Sequence, residues 1–240
     1  MIKFLTFGAP ISTYDFRVTE LCRQARNLNI FGEIRGLSDS HLRSDPIFWE
    51  KHGQFIQENS KGYGYWVWKP YIIMKSLDVM NTDDILIYMD SGCTINALGM
   101  PRLKEYIDTM KNSENGIMSF QMNHLPEKNY TKRKLIDFLQ TSSEDIETGQ
   151  CMATVVMIKK NDHSTMIIKE WYRLASIPHL INDDVGIEIN SFVAHRHDQS
   201  IYSLLVKKYG SVKIDDETFF APNWKEGGSF PFWATRLKNR

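Results

Sequence analysis

An apolar run of strand length ends abruptly on a carboxylate in the stretch Ile85-Leu86-Ile87-Tyr88-Met89-Asp90-Ser91-Gly92-Cys93. A run without polar alternation is typical of a strand covered on both faces in the middle of an α/β sheet. Ligands of such sheets bind outside the carboxyl ends of the strands, which is where Asp90 would lie. A carboxylate there suits a hard cation or a sugar hydroxyl. The alternative is a capping aspartate followed by a turn glycine.

The segments around this run predict an α/β fold. The chain opens with a strand over 2–7, a helix over 14–27 and a strand over 31–37, which is the order of a parallel β-α-β unit. A further strand is predicted over 151–159, and Asp162 can cap the helix that follows it. We therefore expect an α/β sheet flanked by helices.

Length and composition favour one domain over residues 1–240, with the aromatic-rich tail 215–240 packed on its body. The formal net charge is zero, which argues against a nucleic-acid partner. The three cysteines are odd in number and far apart, as expected in a reducing compartment. No transmembrane segment and no signal peptide is predicted, because no apolar run has the required length.

Two polar or aromatic stretches stand out beside the Asp90 run. The first, 61–70, reads KGYGYWVWKP and is either an aromatic plug between two helices or a glycine-flexed loop bordering a ligand. The second, 195–200, reads HRHDQS and precedes a predicted helix that ends at Gly210. Asp198 stands where an N-cap belongs, which alone would explain it. The same residues also concentrate metal-ligand, phosphate and sugar-hydroxyl chemistry at an anion-friendly helix start.

Taken in chain order, the stretches 62–70, 88–93 and 195–200 resemble those of nucleotide-sugar glycosyltransferases of the GT-A fold. The resemblance covers about residues 1 to 210. The resemblance is to the small transferases of bacterial polysaccharide clusters and of large DNA viruses. It implies a mixed, mainly parallel, Rossmann-like sheet that is flanked by helices and binds a nucleotide-sugar donor across its strand ends. It also implies transfer of a hexose from a nucleoside diphosphate sugar, with uridine diphosphate as the family-level expectation, to a glycan or glycoconjugate acceptor. Polysaccharide biosynthesis would be the setting.

The resemblance assigns roles to individual residues. Asp198 would hold donor-sugar hydroxyls, and Gln199 would lie beside the anomeric carbon, as in retaining galactosyl-type transferases; if the enzyme inverts, Asp198 is the better base. The carbonyl of Gln199 would stabilise developing positive charge. The residues expected to bind the donor are Thr6, Phe7, Gly8, Trp66, Lys69, Asp90, Ser91, Gly92 and Arg196.

A metal site is implied by the resemblance, although the sequence departs from the family pattern. Gly92 stands where the second aspartate of the Asp-x-Asp motif is expected. The predicted ligands of Mn²⁺ (or Mg²⁺) are Asp90, His195 and His197, since imidazole suits manganese better than magnesium. The alternative is that Lys69 and Arg196 stabilise the departing diphosphate beside the cation or without it.

Two other functions compete with transfer. One is a non-catalytic carbohydrate- or nucleotide-binding domain, which the absent second aspartate favours. The other is a sugar-nucleotide pyrophosphorylase, which ranks lower because the turn after the first strand offers one glycine, Gly8, and no basic residue nearby. We expect a cytoplasmic protein that meets a membrane only peripherally, through its acceptor.

Overall fold

The computed structural model describes residues 1–10 and 14–237. Within these residues the strands occupy nine short segments. They are β1 (Ile2–Gly8), β2 (Glu33–Ser38), β3 (Ile85–Met89), β4 (Thr94–Ile95), β5 (Ile117–Pro126), β6 (Gly149–Cys151), β7 (Val155–Lys159), β8 (Val212–Asp215) and β9 (Phe232–Trp233). β4 and β9 form a separate two-stranded ribbon, and the other seven strands form one sheet.

The helices of the described residues vary in length from one turn to fourteen residues. They are α1 (Tyr14–Asn27), α2 (Asp39–Arg43), α3 (Pro46–Glu58), α4 (Gly62–Tyr65), α5 (Trp68–Asp78), α6 (Met100–Asn112), α7 (Glu127–Tyr130), α8 (Arg133–Leu139), α9 (Ser143–Glu147), α10 (Asp162–Ala175), α11 (Pro178–Ile181) and α12 (His197–Tyr209). None of them combines the length and the apolar character that a bilayer span requires.

The large sheet confirms the predicted mixed, mainly parallel architecture. Its order is β2-β1-β3-β7-β5-β6, with β8 also paired to β5. β1 pairs in parallel with β2 and β3, whereas β7 runs antiparallel to β3 and β5. The single strand predicted over 151–159 is wrong in one respect: it is divided into β6 and β7. β8 and the short helix α9 lie where no regular element was predicted.

β3 is the central strand that the apolar run predicts, and every one of its residues is buried. Leu86 and Tyr88 enter the apolar core on one face of the sheet, and Ile85, Ile87 and Met89 enter the core on the other. This is the two-residue period of a strand covered on both sides. The strand therefore ends with Asp90 at the edge of the sheet, between two cores.

The aromatic stretch 61–70 contains a feature that the sequence did not predict, a left-handed helical turn. The five residues 62–66 all have positive φ, between 51° and 79°. Backbone bonds from Tyr65 N to Lys61 O (2.8 Å) and from Trp66 N to Gly62 O (3.0 Å) close the turn. Each non-glycine residue in this conformation costs about 1–2 kcal/mol. A Cβ on Gly62 would lie 2.3 Å from the Trp66 ring, so this position requires glycine.

The tail lies against the body near the end of β3. β9 pairs antiparallel with β4, and the Asn96 side chain donates hydrogen bonds to the carbonyls of Gly228 and Phe230. Further along, Leu237 N and Thr235 Oγ1 both donate to the carbonyl of Gly92, at 2.9 and 2.8 Å. The tail therefore passes directly beside the Asp90–Gly92 edge.

Candidate functional site

One buried ammonium joins the two carboxylates that the sequence singled out. Lys69 Nζ lies 3.0 Å from Asp90 Oδ1 and 3.1 Å from Asp198 Oδ2. The Lys69 side chain is 3% exposed and that of Asp198 5%, whereas the Asp90 side chain is 30% exposed. The site is therefore open on the Asp90 side and closed at Asp198.

Three elements distant in the sequence bring these groups together. Asp90 follows β3, and the hydroxyl of Tyr88, two residues back on the same face of the strand, donates to Asp90 Oδ1 at 2.6 Å. Lys69 is the second residue of α5, directly after the left-handed turn. Asp198 is the second residue of α12, whose N-cap is Arg196. The N-cap interpretation of Asp198 is therefore wrong, because the N-cap is Arg196 and Asp198 lies inside the helix.

Burial and charge set the protonation of the site. Burial raises the pKa of Asp198 to about 6, even though Lys69 acts in the opposite direction. Burial alone would lower the pKa of Lys69, but the attraction of Asp198 and Asp90 outweighs it and the net shift is upward. Near neutral pH both groups are charged. One ammonium between two carboxylates leaves the centre with a net negative charge.

The Lys69 ammonium is engaged by protein groups on several sides. It donates to the carbonyl of Ala153 at 3.2 Å and to Asp90 Oδ2 at 3.4 Å, and it forms an ion pair with Asp198 Oδ2 at 3.1 Å. The sequence placed Lys69 at the donor phosphates. In the structure, the Lys69 ammonium instead lies between the Asp90 and Asp198 carboxylates and fixes their separation.

Gln199 is held in a defined orientation by neighbouring polar groups. Its amide nitrogen donates to Gln150 Oε1 at 2.8 Å, and its carbonyl oxygen faces Ala153 N at 3.4 Å. Gln150 in turn donates to Glu127 Oε2 at 3.1 Å. Both Gln150 and Glu127 are fully buried. No local pattern pointed to this support, because its members are distant in the chain.

The predicted metal ligands Asp90, His195 and His197 are not brought together. His195 Nε2 bonds to Leu180 O at 3.0 Å, while its Nδ1 faces Lys132 N at 3.4 Å. His197 Nδ1 bonds to Ile181 O at 2.8 Å. Burial lowers the pKa of both imidazoles, to about 4 for His197, so they are neutral at pH 7.

These contacts correct the metal-site hypothesis. Imidazoles that hydrogen-bond the carbonyls of α11 hold a loop in place instead of facing Asp90. No group of three or more His, Cys, Asp or Glu side chains in the described part of the chain is arranged to hold a metal ion. At Gly92, a Cβ would lie in van der Waals contact with the tail, 3.4 Å from the carbonyl oxygen of Leu237. Asp90, His195 and His197 therefore do not form the predicted three-ligand site for a divalent cation.

The other predicted donor-binding residues are mostly covered. Thr6, Phe7 and Gly8 lie at the carboxyl end of β1 as expected, but all three are buried. Phe7 packs on Trp68 with ring centroids 4.1 Å apart. Ser91 is buried as well.

Trp66 is half-buried and stacks on His197. The aromatic stretch therefore serves the core more than an open ligand surface.

Two arginines belong to segments that border the site. Arg196, predicted from the sequence, lies over the Tyr130 ring with 4.8 Å between its guanidinium carbon and the ring centroid. Arg236, which the sequence reasoning did not single out, lies over Phe219 at 5.4 Å. A tail described only as aromatic and irregular offered no local pattern that would have pointed to this residue.

Comparison with known proteins supports the fold. No protein-family model and no curated protein matches the chain. Among solved structures, it is similar to a glycosyltransferase involved in the glycosylation of the major capsid of PBCV-1, with a TM-score of 0.53 and 14% identity over 97% of this chain and 91% of that one. Mouse xyloside xylosyltransferase 1 gives a TM-score of 0.47, with 10% identity over 97% of both chains.

The likeness to the PBCV-1 transferase extends over nearly the whole of both chains. At 14% identity it bears on architecture alone. The chain therefore has the mixed α/β fold of the GT-A glycosyltransferases, as the resemblance implied.

Proposed function

We propose that this protein is a glycosyltransferase that moves a hexose from a nucleoside diphosphate sugar to a glycan or glycoconjugate acceptor. The observation that carries the proposal is the pair Asp90 and Asp198, held at a fixed separation by Lys69 at the carboxyl edge of a GT-A sheet. Carboxylates so placed accept hydrogen bonds from sugar hydroxyls. Uridine diphosphate remains the expected carrier, and a polysaccharide the expected product.

The chemistry that these residues would perform is bond exchange at the anomeric carbon. The bond from C1 to the diphosphate breaks and its electron pair stays on the phosphate oxygen. The acceptor hydroxyl oxygen bonds to C1, and its proton leaves with the diphosphate. Asp198 would hold and orient the donor sugar, and the fixed Gln199 carbonyl would face the positive charge that develops at C1. Reaction on one face of the sugar corresponds to retention.

The test is a screen of donor hydrolysis across common sugar nucleotides, followed by variants at the site. Asp90→Ala should abolish turnover with the best donor while the melting temperature changes little, because Asp90 is partly exposed. Asp108→Ala, an exposed ion-pair residue on α6, is the matched control and should keep full turnover. Near-normal turnover in Asp90→Ala would remove this residue from the site.

One observation favours a second function, a non-catalytic sugar- or nucleotide-binding domain. The position of the second motif aspartate is occupied by Gly92, and the tail packs against it. Calorimetry separates the two functions. A domain of this kind would bind a glycan or a sugar nucleotide without hydrolysing any donor, whereas the transferase would turn the donor over slowly in the absence of acceptor.

A further inference from the structure

The side-chain amide of Gln150 can take only one of its two orientations. Its nitrogen faces Glu127 Oε2 and the carbonyl oxygen of Tyr130, both at 3.1 Å. A carboxylate and a backbone carbonyl accept hydrogen bonds and cannot donate them. The NH₂ end of Gln150 must therefore point toward these two acceptors, which directs its carbonyl oxygen the other way.

The orientation of Gln150 in turn fixes the amide of Gln199. The carbonyl oxygen of Gln150 accepts from Gln199 Nε2 at 2.8 Å. Because this bond commits the nitrogen of Gln199, its oxygen is turned toward Ala153 N, a donor 3.4 Å away. Gln150 and Glu127 are fully buried, whereas Gln199 is half-buried. Gln199 is therefore the member of the three that a ligand can reach.

These contacts form one hydrogen-bond chain that runs from Ala153 N through Gln199 and Gln150 to Glu127. Each bond in it is donated toward the carboxylate. Hydrogen bonds aligned in this way polarise one another, and the effect is strongest in buried surroundings. The negative charge of Glu127 attracts both NH₂ groups and so increases the negative partial charge on the Gln199 oxygen. An oxygen polarised in this sense is suited to face a positive charge.

The Gln199 end of the chain adjoins Lys69 and its two carboxylates. Ala153 donates its N–H to Gln199 at 3.4 Å and accepts from Lys69 Nζ at its carbonyl oxygen, at 3.2 Å. Gln199 also directly follows Asp198 in α12. The oxygen whose direction Gln150 determines therefore belongs to the candidate site.

We infer that Gln150 is a positioning residue, which turns the carbonyl oxygen of Gln199 toward the reacting carbon of the donor sugar. This inference rests on the proposed function for the identity of that carbon. Positive charge at the carbon develops in the transition state, so the orientation acts on the rate more than on donor binding. Without Gln150, the Gln199 amide can also present its NH₂ end, which would oppose that charge.

The first test measures the orientation itself and needs no turnover. The side-chain amide of Gln199 gives an NH₂ signal in ¹⁵N-labelled protein, and the Gln199→Met variant identifies that signal by its loss. In Gln150→Met, a change to an apolar side chain of similar length, hydrogen exchange of this amide should accelerate about tenfold or more, because its acceptor is lost. Ser203→Ala removes a different contact of Glu127, so it is the matched control and should leave the exchange unchanged.

The second test is kinetic and uses the sugar nucleotide that is hydrolysed fastest. Gln150→Met should lower kcat about tenfold or more and leave KM nearly unchanged. Added to Gln199→Met, it should cause no further loss, since Gln150 acts only through Gln199. A purely structural role would make the two losses multiply. Ser203→Ala should keep the kcat of the parent chain.

Three results would overturn the inference: unchanged exchange of the Gln199 amide in Gln150→Met, a raised KM at constant kcat, or losses that multiply in the double variant. Melting temperatures identify any variant that fails to fold. Gln150→Asn then gives a milder change, because its amide is one methylene too short to reach both Glu127 and Gln199.

The outcome is separable from the proposed function. If no donor is hydrolysed, the transferase fails, and the exchange measurement alone decides whether Gln150 orients Gln199. If donor is hydrolysed and Gln150→Met keeps the parent kcat, the transferase stands and the inference is removed.

Discussion

The molecule contains two buried lysine–carboxylate clusters, and they differ in how completely they are closed. Lys207 and Glu127 pair at 2.9 Å with both side chains fully buried. Thr131 and Gln150 donate to the second Glu127 oxygen, so each oxygen of that carboxylate has protein donors. Around Lys69, by contrast, the Asp90 side chain is 30% exposed, and Asp198 Oδ2, although 3.1 Å from the ammonium, accepts no hydrogen bond among the described residues.

The difference separates a structural ion pair from a site. In the Lys207 cluster the charges balance and every polar atom has a protein partner, so nothing remains for a ligand. In the Lys69 cluster two carboxylates share one ammonium, which leaves an excess negative charge. The partly exposed Asp90 side chain makes that charge accessible from solvent. An incompletely satisfied buried group at a sheet edge is where a ligand completes the hydrogen bonding. Residue types alone would not distinguish the two clusters.

The largest effect is expected from neutralising Asp198, the buried carboxylate of the Lys69 cluster. Asp198→Asn keeps the shape but removes the charge that orients the donor sugar, so turnover should fall at least about a thousandfold. The fold should survive, because Lys69 keeps Asp90 as a partner. Steady-state rates and thermal melts on the purified variant provide the measurement. If Asp198→Asn turned over normally, the two clusters would have to be regarded as equally structural.

The closed cluster should respond in stability instead. Glu127→Leu leaves Lys207 charged and unpaired in the core, so the free energy of unfolding should fall by about 3–5 kcal/mol. Combining it with Lys207→Met removes the unpaired charge and should recover at least half of that loss. Urea unfolding of both variants gives the comparison. A single variant as stable as the parent would show that water reaches Lys207.

The smallest effect is a pH dependence of stability and turnover that only the Lys69 cluster should show. The pKa of Asp198 is raised to about 6, from about 4 in an unfolded chain. The native state therefore holds this proton more tightly, and stability should decrease as pH rises from 4 to 6, by an amount on the order of 2 kcal/mol. Turnover should move in the opposite direction, falling about tenfold per pH unit below 6, because the ionised carboxylate is the active form.

Asp198→Asn separates the two contributions to that pH dependence. The variant should lose the stability slope between pH 4 and 6, which urea melts measure without reference to turnover. A slope that persists in the variant would assign the titration to another group.

Local pattern was enough to predict the sheet and its reactive edge. An uninterrupted apolar run followed by Asp90 predicts a central strand with a carboxylate at its end. The block around Asp198 was found because chemistry-bearing residues are adjacent in sequence. Its helix boundary was wrong by two residues, since a helix start depends on backbone contacts that side-chain preferences only bias.

The remaining parts of the site depend on contacts between distant segments. Arg236 in the tail and Gly92 at the end of β3 are separated by more than 140 residues. Gln150 is separated from Glu127 by 23 residues and from Gln199 by 49. No period or motif in one sequence encodes such pairings. The grouping of His195 and His197 with Asp90 could not be predicted for the same reason, because the carbonyls that orient the two rings belong to α11, about 15 residues away in the chain.

The left-handed turn at residues 62–66 has a consequence for mutational scanning. In an ordinary helix alanine is more favourable than glycine by about 1 kcal/mol, because it limits the freedom of the unfolded chain. Here the order is inverted, since a methyl group at Gly64 would come 2.6 Å from the Ile56 side chain in a backbone that L-residues avoid. An alanine scan across this turn would therefore report damage at the glycines before it reached any aromatic ring, and would overstate their importance for ligand chemistry.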